Sequence, residues 1–302
     1  MTPFSKSTRV RGFAPWRPQK DALALIEHVR VVLREYDEYL PLTCRQIYYR
    51  LIGTGVIEKG DRGYKRLCEI LNRGRRAEYI SFEDIRDDGL TEIGENYFSG
   101  PNHVIEALRR TIDNFKLDPM AGQPRTILLL CEAAGMVPQL ASVANPYGVR
   151  VISSGGFDST TVKHDFSLRL AGQNTLIFHA GDYDPSGVHL FSSLAQDVCA
   201  FLGGKGNAEF KRLGVNPAQI KVLGLSTQPK NPNDDREFDG VDGDGVSTCQ
   251  LEAIPPDKLA SIVRATIFRE LDLDALAQIE PQQRAHRDNL RKMFPKLWEG
   301  AA

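Results

Sequence analysis

Apolar positions recur at three- and four-residue intervals from Gln19 to Glu38. Leu23, Ile26, Val29, Val32 and Leu33 mark one face of a predicted helix there. In "LPLTCRQIYYRLIGTG", Thr43 can cap a second helix from Cys44 to Ile52, and Gly53 to Gly55 can stop it. A third helix is predicted over Asp61–Arg76, with Leu67, Ile70 and Leu71 inward. Three short helices followed by "YISFEDIRDDG" suit a winged helix-turn-helix domain. Asn102 to Phe115 reads as a connecting helix, and "KLDPMAGQPR" as a linker that puts a boundary near residue 120.

Beyond that boundary the pattern changes. "TILLLC" (Thr126 to Cys131), "VRVISS" (Val149 to Ser154) and "TLIFHA" (Thr175 to Ala180) are short apolar runs. Helical segments at Met136 to Ala144, Ser159 to Ala171 and Ser186 to Leu202 follow them in turn. Such alternation predicts a buried parallel sheet flanked by helices. "IKVLGL" (Ile220 to Leu225) is expected as a further strand, and "PKNPNDDREFDGVDGDG" as a polar loop. Helices over Pro256 to Glu270 and Gln282 to Trp298 complete the chain. The expected class is α/β (α+β overall): a basic tail at 1–18, a winged-helix domain at 19–120 and an α/β domain at 121–302.

Composition narrows the function classes. Hydrophobic residues make up 41% of the 302 positions, enough for a sizeable core, and no apolar run approaches the ~18 residues of a membrane helix. The tail carries Lys6, Arg9, Arg11 and Arg17 but no apolar segment, so it does not read as a secretory signal. Five widely spaced cysteines without a CxxC exclude a zinc finger or a disulfide framework and fit a reducing cytoplasm. Net charge is −1, so any DNA affinity must be local. Such a patch exists: Arg62, Lys65, Arg66, Arg73, Arg75 and Arg76 crowd the third helix, with Arg45, Arg50 and Lys59 nearby. Those six residues are candidates for the backbone of double-stranded DNA; the alternative is a solvated helix face.

Candidate chemistry lies at strand ends, where open parallel sheets gather functional residues. Glu132 directly follows the first strand, and Asp182 and Asp184 follow the third in "GDYDPSG". Residues two apart in an extended chain face the same side, so both aspartates can meet one ion, and carboxylate oxygens suit Mg²⁺. Gly155 and Gly156 between them could let backbone approach a phosphate. No P-loop is present, and the loop around Asp239 to Glu252 lacks EF-hand spacing and is expected to be solvated. His179 and His189 flank the aspartates without an assigned role.

In the second helix, Cys44, Ile47, Tyr48, Leu51 and Ile52 form the apolar stripe. Tyr49 lies outside it and is expected to be exposed beside Arg45, four residues earlier. A tyrosine so placed could attack a phosphodiester while the arginine holds phosphate oxygens. Equally, it could do no more than cover the helix flank.

"LLLCEAAGM", "VRVISSGGFDS" and "HAGDYDPSGVHLF" resemble the successive motifs of a Toprim domain, and more narrowly that of topoisomerase VI A subunits. "TCRQIYYRL" is similar to the segment of those subunits, and of related meiotic transesterases, that carries the nucleophilic tyrosine. Over residues 20 to 225 the chain looks most similar to the small stand-alone topo mini-A proteins of phages and plasmids; "QLEAIPPDKLASIV" falls outside the match. The resemblance implies a Toprim fold for the second domain and Mg²⁺ (or Mn²⁺) on Glu132, Asp182 and Asp184. Tyr49 is then the nucleophile assisted by Arg45, in a cytoplasmic homodimer where one protomer's tyrosine works with the other's metal site. A separate ATPase chain is a further partner to consider. The expected function is double-strand DNA cleavage by tyrosine transesterification. The alternatives are a hydrolytic Toprim nuclease in which Tyr49 only positions DNA, and a DNA-binding protein without catalysis.

Overall fold

The computed structural model describes residues 13–86, 97–155 and 160–298. Most of the basic tail, the end of "YISFEDIRDDG" and Gly156 to Ser159 lie outside them.

Helix α1 (Lys20–Glu35) buries Leu25, Ile26, Val29, Val32 and Leu33. Leu23, expected inward, is 42% exposed. Leu25, Val29, Val32 and Tyr36 draw the buried face to one side, which leaves Leu23 over solvent. Strand β1 (Leu42–Thr43) leads into α2 (Cys44–Gly53). A capping box starts α2: the Thr43 hydroxyl accepts from Gln46 N, and the Gln46 side chain accepts from Thr43 N. Thr43→Ala is therefore expected to cost about 1 kcal/mol in urea unfolding, with α2 fraying first. Helix α3 (Asp61–Arg76) follows the predicted bounds, with Leu67, Ile70 and Leu71 buried. β2 (Ile85–Arg86) pairs parallel with β1, and α4 (Pro101–Asp113) leads on to the sheet.

The sheet is built from β3 (Thr126–Cys131), β4 (Arg150–Ser153), β5 (Asn174–Ala180) and β6 (Asn207–Gly214). They run in the order β4-β3-β5-β6, all parallel. Helices α5 (Val137–Ala144), α6 (Thr160–Leu170) and α7 (Pro185–Leu202) make the crossovers. Alternate residues of the central strands serve two cores. Leu128, Leu130 and Ile177 meet Phe166, Leu170, Leu194 and Val198 on one face. Ile127, Leu129, Cys131, Leu176 and Phe178 join, on the other, a core that also holds Leu25, Ile47 and Leu67 from the N-terminal helices. The hydrophobic interior thus runs unbroken past residue 120, and each buried Leu or Ile stabilises it by about 1.5–3 kcal/mol.

Two expectations fail beyond β5. The fourth strand is Asn207–Gly214, whereas Ile220 to Leu225 is not a strand: Pro217–Leu223 forms helix α8. Asn216 and Gln219 make a capping box, Pro217 opens the helix, and Gly224 closes it at φ 59°. As an edge strand, β6 hides its pattern behind Glu209 and Lys211, which pair with each other at the surface. Short strands β7 (Gln228–Pro229) and β8 (Ser247–Thr248) pair antiparallel and close the polar loop. Helix α9 (Pro256–Glu270) has the predicted bounds. Helix α10 (Leu273–Met293) starts nine residues before the expected Gln282, because Asp272 caps it and the helix continues through Pro281. Among the described residues no helix is long and apolar enough to cross a membrane. None of the five cysteines is in a disulfide, and the sulfurs of Cys44 and Cys68 lie 3.0 Å apart.

Candidate functional site

The parallel register sets the ends of β3 and β5 side by side, with Cys131 opposite Ala180, so Glu132 meets the turn Gly181–Asp184. Glu132 N donates to the Ala180 carbonyl (2.9 Å), and Glu132 Oε2 accepts from Asp182 N (3.1 Å). Asp184 caps α7, its Oδ1 accepting from Gly187 N at 2.7 Å. Asp182 Oδ1 accepts from Leu251 N at 2.8 Å. The turn is too tight for larger residues: a Cβ on Gly181 would overlap Glu132 Oε2, and one on Gly187 would stand 2.5 Å from the Asp182 carbonyl oxygen.

Arg212, at the end of β6, escaped sequence reasoning because it belongs to the missed strand. Its guanidinium donates to the carbonyls of Gly181 (3.0 Å), Val215 (3.0 Å), Gly187 (3.4 Å) and Asp182, lacing the acidic turn to the sheet edge. Burial pushes the Asp182 carboxyl up to about 7, with Glu252 the next contributor. Burial likewise raises Glu132, with Asp184 adding to it and the Asp182 amide opposing it. The described residues hold no group of three His, Cys, Asp or Glu arranged to hold one metal ion. Glu132, Asp182 and Asp184 each spend one oxygen on a backbone N–H.

Tyr49 departs from its expected exposure. It is 5% exposed, as buried as Tyr48 at 6%. The stripe rule assumes one covered face, but α2 is covered on two. Gln46 is fully buried and donates to Gln139 Oε1 at 2.6 Å, while Cys249 to Ala253 lies over the other flank. The Tyr49 hydroxyl donates to Gln250 Oε1 at 2.7 Å. Lys59 Nζ stands 5.8 Å from its ring centroid. Burial first, then Cys249, Glu252 and Asp182, push the Tyr49 hydroxyl well above its usual range, while Arg45 acts the other way. Arg45 stays exposed, with Nη1 4.0 Å from Glu252 Oε1.

Glu252 is the second residue missed. It was expected in a solvated loop, yet it is 5% exposed, and its Oε2 has no hydrogen-bond partner. Its apolar neighbours Leu251, Ala253 and Ile254 pull it inward with the chain. Beside Tyr49 opens a cavity of about 420 Å³ lined by Arg45, Lys59, Tyr64, Gln228 and Gln250 among others. That is room enough for a phosphate and part of a nucleoside.

The basic patch divides in two. Arg62, Lys65 and Arg66 are exposed along α3. Arg73 is also exposed and pairs at the surface with Glu69 (2.7 Å) beside Trp16, whereas the half-buried Arg75 lies over Phe82 and Arg76 donates to Asn72 (2.9 Å).

His189 is exposed; His179 is fully buried on β5, against Phe191 and 3.4 Å from Ser154 Oγ. Burial, then Arg212, push its imidazole down to about 3. A base with a depressed folded-state value contributes stability above its unfolded value of about 6.5, and loses it as pH falls toward 3. Asp182 and Glu132 slope the opposite way, so the difference between wild type and His179→Leu isolates the imidazole. Thermal unfolding should show wild type losing ground to His179→Leu below pH 6.5, by up to about 1.4 kcal/mol per pH unit. A constant difference from pH 7 to 4.5 would refute this.

Compared with known proteins, the chain matches no family model, and no curated protein matches it.

Proposed function

We propose that the chain cleaves double-stranded DNA, with Tyr49 as nucleophile and a Mg²⁺ site on Glu132, Asp182 and Asp184. One observation carries the reading: Tyr49 and Asp182 are bonded to successive residues, Gln250 and Leu251, of one short segment. A tyrosine beside an arginine and a set of strand-end carboxylates are thereby brought to one place. The four-stranded parallel sheet with its acids at the carboxyl ends supports the Toprim likeness, and helices α1 to α3 support the winged-helix one.

The donor set suits a hard divalent ion. It is all oxygen, and each of its three carboxyl groups keeps one oxygen beyond the one that a backbone N–H holds. When bound, the ion supplies charge neutralisation at the phosphoryl oxygens. The protein's own groups do the rest. Arg62, Lys65 and Arg66 take up flanking phosphates, and Arg45 holds the scissile one. Tyr49 Oη passes its proton to solvent water and bonds to phosphorus. The bond from phosphorus to a sugar oxygen breaks, and that oxygen takes a proton from water and leaves as a hydroxyl. The phosphotyrosyl link conserves the bond energy, so resealing needs no nucleotide. The reading extends to a homodimer, since a double-strand break needs two nucleophiles.

A second reading has its own support. The buried Tyr49 hydroxyl ionises less readily than a free phenol, which favours a hydrolytic nuclease attacking with water. Supercoiled plasmid incubated with protein and Mg²⁺ or Mn²⁺, quenched with detergent and run with and without protease, separates the two. Protein-linked ends establish transesterification; protein-free breaks that survive Tyr49→Phe establish hydrolysis.

A further inference from the structure

We propose that the segment Cys249–Ala253 assembles the reaction site within one chain, with Gln250 and Glu252 as positioning residues for Tyr49 and Arg45. This rests on the transesterase reading and departs from the two-protomer arrangement that the family likeness implies.

The segment is built as a strap. Cys249 exchanges two backbone hydrogen bonds with Tyr183 (2.8 and 3.0 Å), inside the acidic turn itself. Leu251 N then holds Asp182, and the Ala253 carbonyl accepts from Arg50 on α2. Cys249, Leu251, Glu252 and Ala253 are all at most 5% exposed, so the backbone has little room to shift. Between its anchors, Gln250 receives the Tyr49 hydroxyl and Glu252 faces Arg45. Each link joins the strap either to α2 or to the acidic turn of the same chain.

Glu252 is the informative member. A buried carboxylate oxygen without a partner is costly, and packing alone would favour an apolar residue there. The other oxygen stands 4.0 Å from Arg45 Nη1, too far for a full fork. Arg45 also bonds to Tyr64, so its guanidinium is held at the cavity wall between Tyr64 and Glu252. Gln250 does for Tyr49 what Glu252 does for Arg45: an amide oxygen orients the hydroxyl and cannot itself take the proton.

Two measurements test the proposal. The first needs no cleavage. Tyrosine labelled with ¹³C at the ring gives a Tyr49 resonance, identified by its loss in Tyr49→Phe. It should move when Gln250→Leu or Asp182→Asn is in the labelled chain. It should stay put when the labelled wild-type chain is co-refolded with excess unlabelled Asp182→Asn chain. Movement caused by the partner's substitution, or none from either, overturns the single-chain site.

The second uses DNA. Tyr49→Phe and Asp182→Ala chains mixed together should form no more protein-linked ends than each alone, whereas recovery would place the two groups on different chains. Gln250→Leu should lower kcat about 10–100-fold with KM nearly unchanged, and Gln250→Glu, which keeps an acceptor at the same reach, should recover most of it. Equal losses in both, or a loss confined to KM, would reduce Gln250 to packing. Should wild type leave no protein-linked ends, the transesterase reading fails by itself, and the resonance still decides whether one chain assembles the site.

Discussion

Tyr49→Phe should abolish protein-linked DNA ends, a loss of at least about 10³-fold, because the ring remains while the attacking oxygen is gone. The fold should feel it little. The hydroxyl makes one hydrogen bond, to Gln250 Oε1, so the cost is about 1 kcal/mol. The ring keeps its place beside Tyr48, centroids 5.5 Å apart, and under Lys59. Urea unfolding beside a plasmid cleavage assay checks both halves at once. A variant that still links to DNA would remove Tyr49 from the chemistry. A variant that loses several kcal/mol would instead make the tyrosine a structural strut, and its inactivity would then mean little.

Asp182→Asn should be as damaging to activity, by about 10²–10⁴-fold, and should leave a second signature without DNA. Mg²⁺ is expected to raise the melting temperature of wild type by about 2–4 °C at concentrations well above its Kd, because it binds only the folded arrangement of carboxylates. The asparagine should erase that rise. It still offers an oxygen to Leu251 N and no longer repels Glu132 and Glu252, so the metal-free variant should melt no lower than wild type. Differential scanning calorimetry with and without Mg²⁺ decides it. An unchanged metal response in the variant would move the ion away from the acidic turn, and no response in wild type would leave the carboxylates without one.

The elements that sequence reasoning placed well carry their own punctuation. α2 has Thr43 and Gln46 at its start, β3 is an uninterrupted apolar run, and α9 opens on proline. Their signals are local, so a window of a dozen residues holds them. β6 failed that test because Ala208 and Phe210 face one core and Leu213 the other, with Glu209, Lys211 and Arg212 between them, which leaves no continuous alternation. α8 imitates a strand because Ile220, Val222, Leu223 and Leu225 crowd together while its helix signals lie only at its ends. Asn216-Pro217 ahead of Gln219 was the available sign.

For the site, the strand-end acids were legible because parallel sheets put function at one edge; that Glu132 and Asp182 lie within hydrogen-bonding reach follows from register. The burial of Tyr49 was not legible. What covers it comes from about two hundred residues away, and nothing in "TCRQIYYRL" announces a second covered flank. Glu252 and Arg212 share that difficulty: each acts through residues far off in sequence, and each sits in a stretch whose composition reads as solvated.

The separation between Tyr49 and Gln250, 201 residues along the chain, bears on how the molecule comes into being. On a ribosome adding about 5–20 residues per second, roughly 10–40 s pass between the emergence of the tyrosine and that of its acceptor. Through that interval α1 to α3 lack the strap, and β3 and β5 lack the residue that clasps Asp182. Until residues 249 to 253 have emerged, the contacts that tie Tyr49 and Asp182 to one short segment cannot form, so the two ends of this arrangement fold before the piece that joins them.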